Sequence, residues 1–196
     1  MTEDRALRRA ILIVALLNLA YFGVEFVMAL RIGSVSLLAD SADFFEDAAV
    51  NLLILVALGW SAPRRRQVGL GLAAILLLPA AAFLWSLWRK LADPTPPQPF
   101  ALSLTALGAL VVNLSCAFLL ARFRHVRGGL VKAAFLSARN DVLANIAIIA
   151  AGGLTVVIRS IWPDIVVGLL IAWMNIDAAR EVMRAARGET DAPDPV

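Results

Sequence analysis

Residues Ser34 to Trp60 read SVSLLADSADFFEDAAVNLLILVALGW, a stretch long and apolar enough to cross a bilayer except for Asp40, Asp43, Glu46 and Asp47. A charged residue at the middle of a membrane helix costs roughly 2.5–3.5 kcal/mol on insertion scales. Four at full cost come to about 10 kcal/mol, comparable with the total stability of many domains. Such a cluster is expected to face a cavity or a partner helix rather than lipid. An ion pathway is therefore the first functional expectation.

The rest of the chain has the same character. Its 196 residues are 61% hydrophobic and 17% charged, with a mean hydropathy of +0.81. Soluble domains are about 45–50% apolar and about a quarter charged, so the composition is that of an integral membrane protein. Apolar stretches occur at about 10–30, 34–60, 67–88, 100–121, 131–158 and 161–183, each near the ~20 residues a span requires. Backbone polar groups cannot go unpaired in lipid, so the spans must be helices. The expected fold is an all-α membrane protein with six transmembrane helices over residues 1–187, followed by a short disordered cytoplasmic tail at 188–196. Arg5, Arg8 and Arg9 precede an apolar run that continues past a signal core without an A-x-A site, so the first segment reads as a retained anchor.

Lys and Arg set the direction. The N-terminus, the loops around 64–66 and 122–132, and the tail around 180–187 together carry 13 basic residues. The opposite side carries Arg31, Arg89, Lys90 and Arg159. This imbalance predicts that both termini lie in the cytoplasm. The same pattern explains the basic pI of 9.7 without invoking nucleic acid. Trp85, Trp88, Trp162 and Trp173 fall near the predicted span ends and are expected at the membrane interface.

The second and fifth spans share a ladder. Asp43-x-x-x-Asp47-x-x-x-Asn51 in one corresponds to Ser137-x-x-x-Asp141-x-x-x-Asn145 in the other. Residues four apart lie on one helix face, so each helix offers a polar row. Asp40 extends the first row and Glu46 points to a flanking face. Three spans separate the two motifs, so their helices cross in opposite directions, as an inverted three-plus-three repeat requires. Such repeats place substrate sites at the midplane. Two carboxylates on adjacent turns plus a third from a facing helix make a divalent-cation site, and cation and protons compete for the same oxygens. With a single Cys116 and a single His125 in the chain, a bound cation has to sit mainly on oxygen. Asn18 and Glu25, with Tyr21 between them, share a face of the first span and are read as pathway or relay residues, or as partners of each other or of Arg139. Arg139 is expected to pair with Glu25 or Glu46. Asn113, Cys116 and Asn175 read as helix-packing residues, and His125 as a solvated loop residue.

The chain resembles the cation diffusion facilitator family. The likeness is carried by Asn18, Tyr21, Glu25, Gly33-Ser34-Val35-Ser36-Leu37-Leu38-Ala39-Asp40-Ser41, the Asp43/Asp47 pair, Asn140-Asp141-Val142-Leu143-Ala144-Asn145 and Trp162-Pro163-Asp164. It implies a six-helix, dimeric transporter that exchanges cytoplasmic divalent metal for protons by alternating access, with a bacterial inner membrane as its location. It further implies a tetrahedral site of two residues from helix two and two from helix five, which fall here on Asp43, Asp47, Asp141 and Ser137. Ser137 stands where the family usually has His or Asp, and a hydroxyl is a poor ligand, so a water, Asn140 or Asn145 is expected to complete the shell. Asp43 replaces the His common in zinc exporters, which leans the site from zinc toward iron, manganese or cobalt by ligand softness. The family's C-terminal cytoplasmic domain and His-rich loop have no counterpart in the sequence, so the resemblance is to a compact form.

The leading expectation is thus a transition-metal/proton antiporter for the zinc, iron, manganese or cobalt class, with no organic cofactor, acting as a homodimer. The alternative is a degenerate, non-transporting membrane partner of another protein, which Ser137 and the single His favour. No nucleophile–base pair or cofactor fingerprint argues for an enzyme.

Overall fold

A computed structural model of the chain describes the backbone of residues 2–57, 62–123 and 128–187, with side chains at 5–55, 67, 78–123 and 137–175. These residues form six α-helices and, among the described residues, no strand: α1 (Thr2–Ile32), α2 (Val35–Ala57), α3 (Ala62–Ala92), α4 (Pro99–Ala121), α5 (Gly128–Ile158) and α6 (Trp162–Arg187). Among the described residues three segments are long and apolar enough to cross a membrane by length and composition alone, Arg5–Ile32, Pro99–Ala121 and Ser137–Ile158, and Trp162–Asn175 is a shorter apolar one. His125 and the tail at 188–196 lie outside the described residues.

The α1–α2 turn shows how the sequence sets these boundaries. Gly33 adopts φ 65°, a left-handed value that favours glycine. The next amide, Ser34 N–H, donates to Ala29 O at 2.9 Å and closes α1. Ser34 then caps α2, its Oγ accepting from Leu37 N–H at 3.1 Å. The remaining free amides of that first turn are met by a carboxylate from another helix. Asp164 on α6 accepts from Val35 N–H at 2.8 Å and from Ser36 N–H at 3.1 Å. It also accepts from the hydroxyls of Ser34 (2.7 Å) and Ser36 (2.6 Å). A negative charge there complements the helix dipole. Lys90, at the end of α3, brings its ammonium to 3.8 Å from Asp164 and donates to Thr95 O at 3.0 Å. Asp164 is fully buried, so this one group joins the ends of three helices and the α3–α4 connection. Gly168 permits the approach: a Cβ there would lie 3.0 Å from the backbone of Val35 and Ser36.

Burial follows from charge. α2 touches α1, α3, α5 and α6, and none of its described side chains is exposed. The large exposed apolar side chains, such as Leu16, Leu78, Phe118, Val157 and Leu170, lie instead on the other five helices. The helix that costs most in lipid is the one kept from it. Leu37, Leu38, Leu102, Ile148, Ile165 and Ile171 fill the main core around its first half. Trp85, Trp88 and Trp162 are exposed near helix ends, as expected for interface residues. Trp173 differs: it is also exposed but lies eleven residues into α6, about 17 Å along the axis and close to mid-bilayer.

Removing the Asp164 carboxylate leaves buried amides and a buried ammonium without their acceptor. Asp164→Ala is expected to cost about 3–5 kcal/mol, read as a lower unfolding midpoint of the detergent-solubilised protein, with Asp164→Asn intermediate. An unchanged midpoint for the alanine variant refutes the anchoring role.

Candidate transport site

The polar faces of α2 and α5 meet in two layers. In the first, Ser137 Oγ donates to Asp47 Oδ1 at 3.0 Å, and the carboxyl groups of Asp47 and Asp141 lie within hydrogen-bonding reach of each other. In the second, Asn145 Nδ2 donates to Asp40 Oδ2 at 2.5 Å. Asn145 Oδ1 accepts in turn from Asn113 Nδ2 of α4 at 3.0 Å. Residue numbers rise along α2 as they fall along α5, so the two helices run antiparallel where they touch. This is the geometry that the repeated ladder anticipates.

Asp43 lies between the layers. It is half-buried and has no hydrogen-bond partner among the described residues, yet the charges of Asp141, Asp40, Glu46 and Asp47 all act on it. Among the described residues no three Asp, Glu, His or Cys side chains are gathered closely enough to hold a metal ion. Asp47, Asp141 and Ser137 are therefore brought together, with Asp43 adjacent rather than closed onto them. Asp43, Asp47 and Ser137 are half-buried, whereas Asp40, Asn145 and Asn113 are at most 2% exposed. The first layer is thus the accessible one.

On α1, Glu25 is fully buried and within hydrogen-bonding reach of Asp40. Two ionised carboxylates are both acceptors, so they can bond only through a proton. Neither Glu25 oxygen, nor Asp40 Oδ1, meets any other donor. Aromatic pairs hold α1 to α2 around this region, Tyr21 on Phe44 at 5.2 Å and Phe22 on Phe45 at 4.9 Å between ring centroids. Tyr21 also donates from its hydroxyl to Thr105 O at 2.6 Å, tying α1 to α4.

Several expected roles are corrected. Arg139 pairs with neither Glu25 nor Glu46: it is exposed, and the ion pair found among the described residues is Lys90–Asp164. Two residues from Asp141 is about 200° around the helix, which turns Arg139 away from the seam. Asn140, one residue and about 100° from Asp141, is exposed as well. Asn145 is occupied by Asp40 and Asn113. Asn51 donates to Asp47 O of its own helix at 2.8 Å, and its buried Oδ1 has no partner. Glu46 is buried with Oε1 unpartnered. Asn18 and Glu25 do not satisfy each other. Asn18 Oδ1 takes the Cys116 thiol at 3.7 Å, and its Nδ2 is left without an acceptor.

Asn113 and Asn175, read from sequence as packing residues, do more than fill space. Asn113 orients Asn145, and Asn175 donates to Ala39 O at 3.3 Å, next to Asp40. An amide deep in an apolar span is costly in lipid, and that cost was the available signal.

The chain matches the Cation efflux transmembrane domain family over residues 11–188. It is similar to the "Zinc transporter ZitB" of Pectobacterium atrosepticum, at 25% identity over an aligned length of 183 residues. The match covers 86% of this chain and 57% of that protein, so the chain spans less than two thirds of the relative's length. Six helices in this order, an acidic second helix enclosed by its neighbours and a family match over nearly all of them lead to one conclusion: the chain belongs to the cation efflux family, whose members are transporters and not enzymes.

Proposed function

We propose that the protein exports a divalent transition-metal cation in exchange for protons, binding it between α2 and α5 at Asp43, Asp47 and Asp141, with Ser137 as a weak fourth donor. The observation that carries this reading is the meeting of Asp47 and Asp141 from antiparallel helices in a core enclosed by the others. Like charges so placed need a counter-charge, and either a cation or protons can supply it. Metal arriving from the cytoplasm draws Asp43 onto the pair, and protons replace it on release outside.

The accessible layer supports this direction. With both termini cytoplasmic, α2 runs inward, so Asp47 lies on the cytoplasmic side of Asp40. The half-buried Asp43, Asp47 and Ser137 then face inward, and the Asp40–Asn145–Asn113 layer closes the path outward. That is an inward-facing state of an alternating-access cycle. The donor set is all oxygen, which suits iron, manganese and cobalt as well as zinc, the metal named for the relative. As in the family, the working form is a homodimer in a bacterial inner membrane. The lack of a closed three-ligand cluster among the described residues favours the alternative, a partner protein that binds no metal, and calorimetry with the purified protein decides between them.

Two outcomes test the assignment. Asp47→Ala and Asp141→Ala are each expected to abolish metal-dependent proton release in proteoliposomes while helical content by circular dichroism is unchanged; persistent release in both variants removes these residues from the mechanism. Ser137→His supplies a true fourth ligand and is expected to tighten zinc at least about tenfold, or about 1.4 kcal/mol, by calorimetry. Equal affinity in wild type and variant takes position 137 out of the metal shell.

A further inference from the structure

The metal reading leaves a second pair of carboxyl groups unused. Glu25 and Asp40 are fully buried and within hydrogen-bonding reach of each other. Their hydrogen bonds are incomplete in a specific way. Asn145 Nδ2 satisfies Asp40 Oδ2, while Asp40 Oδ1 and both Glu25 oxygens have no donor. Buried acceptors without donors are rare and call for an explanation. What is missing is something to donate between Glu25 and Asp40.

The surroundings point to a proton rather than a second metal. Two carboxylates and the Asn145 amide nitrogen, which is a donor and no ligand, are too few for a cation that prefers four or more. The other groups around the pair are Tyr21 on α1, Asp43, Glu46 and Asp47 on α2, Asp141 on α5, and Cys116 with Asn113 on α4. None of these is cationic. From α3 and α6, Lys90 is engaged with Asp164, and Asn175 donates to Ala39 O. No described cation therefore neutralises the pair.

We propose that Glu25 and Asp40 form a proton-carrying site separate from the metal site, one proton being held between Asp40 Oδ1 and the Glu25 carboxyl and released when metal binds at Asp43, Asp47 and Asp141. The proposal rests on the transport reading above. The balance is simple: the pair carries one negative charge with the proton and two without it, and the arriving divalent cation compensates the charge exposed when the proton leaves. Asp40 is seven residues from Asp47, about 10 Å along α2, and three from Asp43, about 4.5 Å. The proton and metal sites are thus close enough to repel electrostatically, with the Asp40 charge acting on Asp43.

The experiment measures metal affinity by calorimetry across pH for the full chain in detergent, using Mn²⁺ and Zn²⁺, for wild type, Glu25→Gln, Asp40→Asn and the double variant. Each single variant is expected to keep metal binding but to lose about one released proton per metal, so that the slope of log Kd against pH falls by about one. The double variant loses no more than either single, because the two groups hold one proton jointly. Slopes equal to wild type in the single variants overturn the proposal, as does an additive loss in the double. Should the variants not survive solubilisation, infrared spectroscopy of the metal-free wild type must show the carbonyl band of an un-ionised carboxylic acid at neutral pH, and its absence also overturns the proposal. A wild type that binds neither metal refutes the transport reading itself, a result distinct from all of these.

Discussion

Asp164 fixes the height of α2, and the arrangement of the polar core depends on that height. Its carboxylate takes two amides and two hydroxyls from the first turn of α2 while Lys90 approaches from the end of α3. Asp164 and the turn it caps are fully buried, so no water stands ready to take over amides that lose their acceptor. A slide of α2 by one residue, about 1.5 Å, breaks this set with nothing to replace it. The capping group comes from α6, so the start of α2 and the start of α6 share one level. Everything placed by counting along α2, the acids above all, inherits that level.

The second constraint is register. Asp40 meets Asn145 and Asp47 meets Ser137, so seven residues of α2 are matched to eight of α5. At 1.5 Å per residue these are about 10.5 and 12 Å, close enough for antiparallel helices to hold both rungs. The interval between the rungs contains Asp43 and Asp141. Asn113 makes the Asp40–Asn145 rung directional: by donating to Asn145 Oδ1 it leaves only the Asn145 amide nitrogen to face Asp40. An amide fixed this way donates to Asp40 and does not ligate a metal. The two layers consequently have different chemistry, one suited to a cation and the other to a carboxyl group.

Much of this was legible in the sequence because it is written in backbone chemistry and helical period. The breaks at Gly33-Ser34, at Asp93 to Pro97 and at Trp162-Pro163 place the observed helix ends within a few residues, except at the longer ends of α1, α3, α5 and α6, which continue past the apolar stretches. The four-residue spacing of Asp43, Asp47, Ser137, Asp141 and Asn145 identified the facing rows. What failed has one physical source. A single helix does not reveal which of its faces a neighbour covers. Sequence spacing alone pairs Arg139 with an acid across the seam and brings Asn140 to the metal shell, whereas both side chains are exposed. Asn113 and Asn175 carry no repeat, so their roles depend on which helices lie beside α5 and α2, and that is a tertiary fact.

On the proposed reading, the coupling of metal to protons follows from the burial of the acids. A buried charge left without its partner costs about 3–5 kcal/mol, a large fraction of the 5–15 kcal/mol that holds a domain together. The ionised, empty core is therefore the state the fold can least sustain. Either protons or a cation must occupy the carboxyl groups, and since both compete for the same negative charge, filling by one expels the other. Packing α2 against four other helices raises this penalty, because solvent is kept from screening the acids. The burial that makes these residues awkward for a membrane helix is then what ties the movement of one ion to the counter-movement of the other.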